Sequence, residues 1–178
     1  MGLIATLDQE ARRRELRFLV IGGLAVNFYG YSRDTADLDL LVCRDDRSAW
    51  LQLLATLKYA VFHDADTFVQ LSPPAKGEWP LDLMVVQAAT FTPMLSAGLA
   101  VEMFGTRVVI PSLEHLLALK LHALKHAGVH RFLKDFQDVE GLVRINRLDL
   151  KSERIRQLFF KYGNLDLYEK IVRACSDN

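Results

Sequence analysis

Asp37 and Asp39 stand two residues apart in an otherwise apolar run, Asp37-Leu-Asp-Leu-Leu-Val-Cys43. On a strand that spacing turns both carboxylates to one face. Hard oxygen donors placed together in this way suit a divalent cation. Upstream, the apolar Phe18-Leu-Val-Ile21 ends in Gly22-Gly23. A glycine pair at a strand-to-helix turn lets the backbone approach a phosphate, with the helix N-terminus aimed at the anion. A third carboxylate, Asp82, sits inside another apolar run, Leu81-Asp-Leu-Met-Val-Val86. Charge in such a strand is costly unless it binds metal or is paired. A phosphate cradle beside a metal seat describes a site for a nucleoside triphosphate. The competing reading is plainer: Asp37 and Asp39 are the wet face of a half-buried strand.

Strands and helices must hold these residues. Residues 7–17 read as a charged first helix with Arg12, Arg13, Arg14 and Arg17 on a solvated face, a nucleic-acid contact being the alternative. A strand follows at 18–21, an amphipathic segment at 24–29 closed by Gly30, and a second strand at 37–43. A helix then runs to Lys58, with Trp50, Leu51, Leu54 and Leu57 at helical spacing. Val61 to Leu71 reads as a strand broken by the polar residues 63–66, and 72–77 as a turn. Residues 81–86 are the strand of Asp82, and 91–97 a short helix. Residues 101–104 and 108–110 form a hairpin turning at Gly105-Thr106.

From Ser112 the pattern is purely helical. Ser112 suits a cap and Glu114 the first turn. At about 100° per residue, Leu113, Leu116, Leu117, Ala123, Leu124 and Ala127 surround Lys120 on the wheel. An ammonium in the middle of an apolar stripe must snorkel or meet an anion. His122, His126 and His130 are spaced by four, which admits a zinc site, but the wheel puts His115, His122 and His126 on the polar face with Lys125. A further helix runs over 131–145, with Phe132, Phe136, Val139, Leu142 and Val143 as its buried stripe. Helices at 151–162 and 165–174 complete the chain, separated by Gly163-Asn164.

The 178 residues fit one compact unit: a part over 1–111 and a helical region over 112–178 packed on it. Basic and acidic side chains balance at 22 each, so net charge argues neither for nor against a polyanionic partner. The first part is acidic by three charges and the second basic by three, which suits an anion held between them. Two cysteines, Cys43 and Cys175, make no metal-ligand spacing and point to free thiols in an intracellular, cytoplasmic chain. No stretch is long and apolar enough to span a bilayer, and no signal peptide is seen.

Ile21-Gly22-Gly23, the spacer 24–36, Asp37-Leu38-Asp39-Leu40 and the later Leu81-Asp82-Leu83 resemble the nucleotidyltransferase superfamily of the DNA polymerase beta type. Arg33-Asp-Thr35 and the small size resemble most its minimal bacterial members, including the AbiE-type toxins. The resemblance implies an α/β (α+β) fold, with a small mixed sheet, flanking helices and a helical C-terminal bundle. It implies transfer of a nucleoside monophosphate from a nucleoside triphosphate to RNA, tRNA, protein or a small molecule. Gly22 and Gly23 would then hold phosphates. Asp37, Asp39 and Asp82 would hold two Mg²⁺ or Mn²⁺ ions, Asp82 also drawing the acceptor's proton. Lys120 would grip the triphosphate, the alternative being a snorkelling lysine. Arg33 and Thr35 would touch phosphate or build the turn. Arg131-Phe-Leu-Lys-Asp-Phe-Gln-Asp138 resembles a segment in which an acid supports the site, Asp135 ahead of Asp138, against a plain helix-surface pair. An antitoxin partner belongs to the toxin reading. Two rivals stand beside it: an antibiotic-type transferase, and a non-catalytic regulatory or antitoxin-like protein on the same scaffold.

Overall fold

The structure, a computed structural model, describes residues 2–126 and 129–176, and of residues 129–131 the backbone alone. Ala127, Gly128 and the His130 and Arg131 side chains of the reading above lie outside the described residues. The chain divides into two compact units. The first takes the residues up to Ala25 with Asp34–Ser112, and the second takes Val26–Arg33 with the chain from Leu113 onward.

The first unit is built on strands β1 (Phe18–Val20), β2 (Leu38–Cys43), β3 (Ala60–Asp64), β4 (Phe68–Ser72) and β5 (Leu81–Val86). They form one mixed sheet in the order β1-β2-β5-β4-β3, in which only β2 and β5 run parallel. Parallel neighbours need a long crossover. Here helix α3 (Arg47–Thr56) and the β3–β4 hairpin supply it. The central strands are covered on both faces: Leu38, Leu40, Leu41, Leu81 and Leu83 are fully buried. Trp50 of α3 is fully buried too, edge-on to Phe18 with ring centroids 5.6 Å apart. Helix α1 (Leu3–Arg13) buries Ile4, Leu7 and Ala11, one stripe of an amphipathic helix. Helix α4 (Ala88–Ser96) and the hairpin β6 (Leu99–Met103) and β7 (Thr106–Ile110) complete the unit.

Several element boundaries differ from the sequence reading, each for a local reason. The first helix covers 3–13 rather than 7–17. Glu15 turns left-handed at φ +57°, and the Leu16 amide reaches back 2.9 Å to the Ala11 carbonyl to close the end. Its arginines meet acids one turn away, Arg12 on Asp8 at 2.8 Å and Arg13 on Glu10 at 2.7 Å, as a solvated face does. The broken strand at 61–71 is two antiparallel strands. Residues 65–68 turn between them, and Arg44 and Arg47 pair with Asp66 and Asp64 at that end. The later hairpin turns one residue earlier than expected. Its two-residue loop is Phe104-Gly105, both at positive φ, +49° and +73°, which matches the twist of the flanking strands.

Helix α2 (Gly22–Phe28) carries the chain into the second unit, which holds α5 (Leu113–His126), α6 (Val129–Ile145), α7 (Glu153–Tyr162) and α8 (Leu165–Ser176). Leu117, Leu121, Val139, Leu142, Phe159 and Ile171 are its fully buried centre. Asn164 starts α8: its side-chain oxygen accepts the Leu167 amide at 2.8 Å. Among the described residues no helix is long and apolar enough to cross a membrane. Both cysteines are free thiols.

Candidate active site

The two central strands bring the acids together. In the parallel register Asp39 lies beside Asp82, so both carboxylates leave the same face of the sheet. Asp37 sits at the bend that opens β2, two residues before Asp39. One oxygen from each of Asp37, Asp39 and Asp82 falls within 4.8 Å of the other two. Oxygens on opposite sides of one Mg²⁺ stand about 4.2 Å apart. The three carboxylates are therefore nearly closed to metal-ligand distance, and a donor set of oxygens alone fits Mg²⁺ or Mn²⁺. Among the described residues no other group of three or more acids, histidines or cysteines has metal-ligand geometry.

Gly22 lies directly against this seat. It is left-handed at φ +61°, where side chains are strained. A Cβ there would stand 1.8 Å from Asp39 Oδ2 and 2.4 Å from its Cγ. The turn thus needs glycine twice, for its backbone and for the carboxylate it touches. The Ile21 amide donates to the Asp39 carbonyl at 3.0 Å, tying the turn to the strand at that residue. Gly23 is buried in the first turn of α2. On the other flank, Thr35 donates its hydroxyl to Asp37 Oδ1 at 3.0 Å.

Lys120, Asp135, Asp138 and Arg33 form a second cluster, inside the helical unit. Lys120 Nζ lies 2.7 Å from both Asp135 Oδ1 and Asp138 Oδ2. Arg33 Nε lies 2.7 Å from Asp138 Oδ1, and Arg33 Nη2 donates to Oδ2 at 3.2 Å. Lys120, Asp135 and Asp138 are all at least nine-tenths buried. Among the described side chains two cations meet two carboxylates there, and such pairing is the condition under which charges survive burial. The stripe around Lys120 thus meets its anions within this unit. Arg33 is clasped at its backbone as well: Asn27 Nδ2 donates to the Arg33 carbonyl and the Arg33 amide donates to Asn27 Oδ1, both at 2.9 Å. The segment around it lies along α6. Tyr31 packs so closely on Gly141 that a Cβ there would stand 2.3 Å from the ring, and Asn146 Nδ2 donates to the Tyr29 carbonyl at 3.1 Å. Burial pushes the Tyr29 hydroxyl up to about 12.

His122 and His126 are exposed on α5, with ring centroids 4.7 Å apart. Partial burial, then the charges of His126 and Lys125, hold the His122 imidazole below its ordinary range. Sequence reasoning passed over two residues. Gln70 of β4 is the antiparallel partner of Asp82 and places its amide 3.4 Å from both carboxylate oxygens. The signal was a polar residue alternating with the buried Val69 and Leu71, but its value depends on the strand it pairs with. Asn27 had no signal beyond being a polar residue just before Gly30.

No protein family and no curated protein matches the chain. Solved structures do resemble it. ANT(2")-Ia in complex with adenylyl-2"-tobramycin superposes with a TM-score of 0.68 at 16% identity, over 90% of this chain and 94% of that one. An antigenic nucleotidyltransferase-like protein from Paracoccidioides brasiliensis gives 0.58 at 16% identity, over 98% and 90%. The lincomycin-bound lincosamide antibiotic adenylyltransferase LnuA gives 0.57 at 16% identity, over 80% and 95%. At such identity it is the fold that is shared: a nucleotidyltransferase-like mixed sheet with flanking helices.

Proposed function

We propose that this chain, with a nucleotidyltransferase-like fold and three carboxylates converging beside a left-handed glycine, transfers a nucleoside monophosphate from a nucleoside triphosphate to an acceptor. The observation that carries the reading is the seat itself: Asp37, Asp39 and Asp82 within 4.8 Å of one another. A protein with no use for a metal gains nothing from three like charges held that close. Asp37, Asp39 and Asp82 would hold two Mg²⁺ or Mn²⁺ ions, which when bound neutralise charge on the triphosphate and on the attacking oxygen. The chain's own groups do the rest. The Gly22-Gly23 backbone brings no side chain of its own to an arriving phosphate. Asp82 takes the proton of the acceptor as its oxygen bonds to the α-phosphorus, and pyrophosphate leaves. Thr35 holds Asp37, and Gln70 holds Asp82, in the orientation that the seat requires. Lys120 spends two of its ammonium's three N–H donors on Asp135 and Asp138, so its first role is to hold the helical unit, and a grip on the triphosphate would be added to that.

The acceptor favoured is a small amine- or hydroxyl-bearing molecule of the antibiotic type. The support is the likeness to ANT(2")-Ia and LnuA, which this chain covers nearly from end to end. The AbiE-type reading, a toxin labelling tRNA or protein under the control of an antitoxin, uses the same seat and differs only in acceptor. Incubation with each α-labelled triphosphate and Mg²⁺ separates them, against three pools: aminoglycosides with lincosamides, total tRNA, and cell protein. Label on a drug supports the favoured reading, and label on RNA or protein supports the toxin reading. Triphosphate binding without transfer to any pool returns the chain to the regulatory-scaffold alternative.

A further inference from the structure

A cavity of about 510 Å³ opens in the first unit, and none of its lining residues belongs to the acidic seat. Its walls come from the start of α1, the end of α3, the turn before β5 and the tip of the β6–β7 hairpin. The size is that of a small-molecule site. Three aromatic side chains line it in a linked row. The Tyr59 hydroxyl donates to the Trp79 carbonyl at 3.0 Å, and the Trp79 ring meets the Phe104 ring edge-on with centroids 5.9 Å apart. The remaining walls include Leu3, Ile4 and Leu57. Glu78 is the only charged side chain among the described lining residues, and its amide is fixed in a turn by the Ala75 carbonyl at 3.2 Å. Its field reaches the wall: burial first, then the Glu78 charge, hold the Tyr59 hydroxyl above the usual phenol range. Phe104, at the hairpin tip, is 72% exposed.

We propose that this cavity binds a small organic ammonium ion with an apolar body. Ring faces are electron-rich and attract a cation, the carboxylate adds a full opposite charge, and no cation among the described lining residues opposes it. A neutral apolar ligand would gain the walls but neither electrostatic contribution, and an anion would be repelled by Glu78. The proposal does not depend on nucleotidyl transfer, because binding needs neither nucleotide nor metal.

Trp79 is a built-in reporter, since the other tryptophan, Trp50, is fully buried in the core. The full chain is titrated with benzylammonium, with benzyl alcohol as its neutral counterpart and with phenylacetate as its anionic one. Tryptophan fluorescence is read, and calorimetry checks it. Benzylammonium should bind about tenfold more tightly than benzyl alcohol, and phenylacetate more weakly than either. Glu78→Gln should weaken benzylammonium about threefold and leave benzyl alcohol unchanged. Phe104→Leu keeps the apolar wall, removes a ring and should weaken only the cation. Asp39→Asn should alter none of these affinities, so failure here and failure of the transfer reading are separately visible. Equal affinity for cation and alcohol, insensitivity to Glu78→Gln, or no benzylammonium binding at about 10 mM would overturn the proposal.

Discussion

Gly22→Ala is the sharpest perturbation of the seat, because it adds one methyl group and nothing else. Two effects must be separated. The backbone at φ +61° strains any residue with a Cβ, by about 1–2 kcal/mol. In a chain of this length that lowers Tm by roughly 2–8 °C. The second effect is a collision. The methyl carbon would stand 1.8 Å from Asp39 Oδ2, whereas a carbon–oxygen contact needs about 3.2 Å. The carboxylate, or the turn, must therefore give by about 1.4 Å. A displacement near 1 Å at a reacting centre costs about a hundredfold in rate. Gly105→Ala is the control: its φ is +73° and a Cβ there meets nothing within 4 Å, so it carries the strain without the collision. Mn²⁺ affinity read by electron paramagnetic resonance, with thermal unfolding alongside, tests both without knowledge of the acceptor. Gly22→Ala should lose at least about tenfold in Mn²⁺ affinity, while Gly105→Ala loses only stability. Equal Mn²⁺ affinity in both variants would refute the claim that Gly22 is there for Asp39.

Two further perturbations follow from the same geometry. Lys120→Met removes the ammonium that pairs with both Asp135 and Asp138 and should cost about 3–5 kcal/mol in urea unfolding; intact stability with lost triphosphate binding would instead assign Lys120 to the phosphates. Gln70→Leu removes the amide that reaches both oxygens of Asp82 and should weaken Mn²⁺ about tenfold with little change in Tm; an unchanged affinity would make Gln70 a bystander on the strand.

What the sequence made legible was local. The spacing of Asp37 and Asp39, the glycine before them and the apolar runs around them follow from the period of a strand and the freedom of one residue. Those features anticipated strands and helices one by one; the mixed sheet that they form was implied by the resemblance to the nucleotidyltransferase superfamily. Partners set by pairing between distant segments were not legible. Gln70 matters only because β4 lies antiparallel to β5 in the register that puts it opposite Asp82. The wheel of α5 showed Lys120 in an apolar stripe, but a wheel treats one helix at a time. The anions that meet Lys120 come from α6, 15 residues away in the case of Asp135. Arg33 likewise looked like a loop cation, and its tie to Asp138 spans 105 residues. Element ends slipped where one left-handed residue decides them, as at Glu15 and at Phe104.

If Asp37, Asp39 and Asp82 hold the metal on which transfer depends, Asp39→Asn should remove that metal and the transfer with it. The substitution keeps the shape of the side chain and removes its charge. Relief of repulsion among three close carboxylates should leave the metal-free fold at least as stable as before. With an α-labelled triphosphate, Mg²⁺ or Mn²⁺ and the acceptor that the pools identify, the variant should transfer label at least about a hundredfold more slowly than the parent. Full transfer by a folded Asp39→Asn protein would mean that the three carboxylates do not hold a metal that transfer needs.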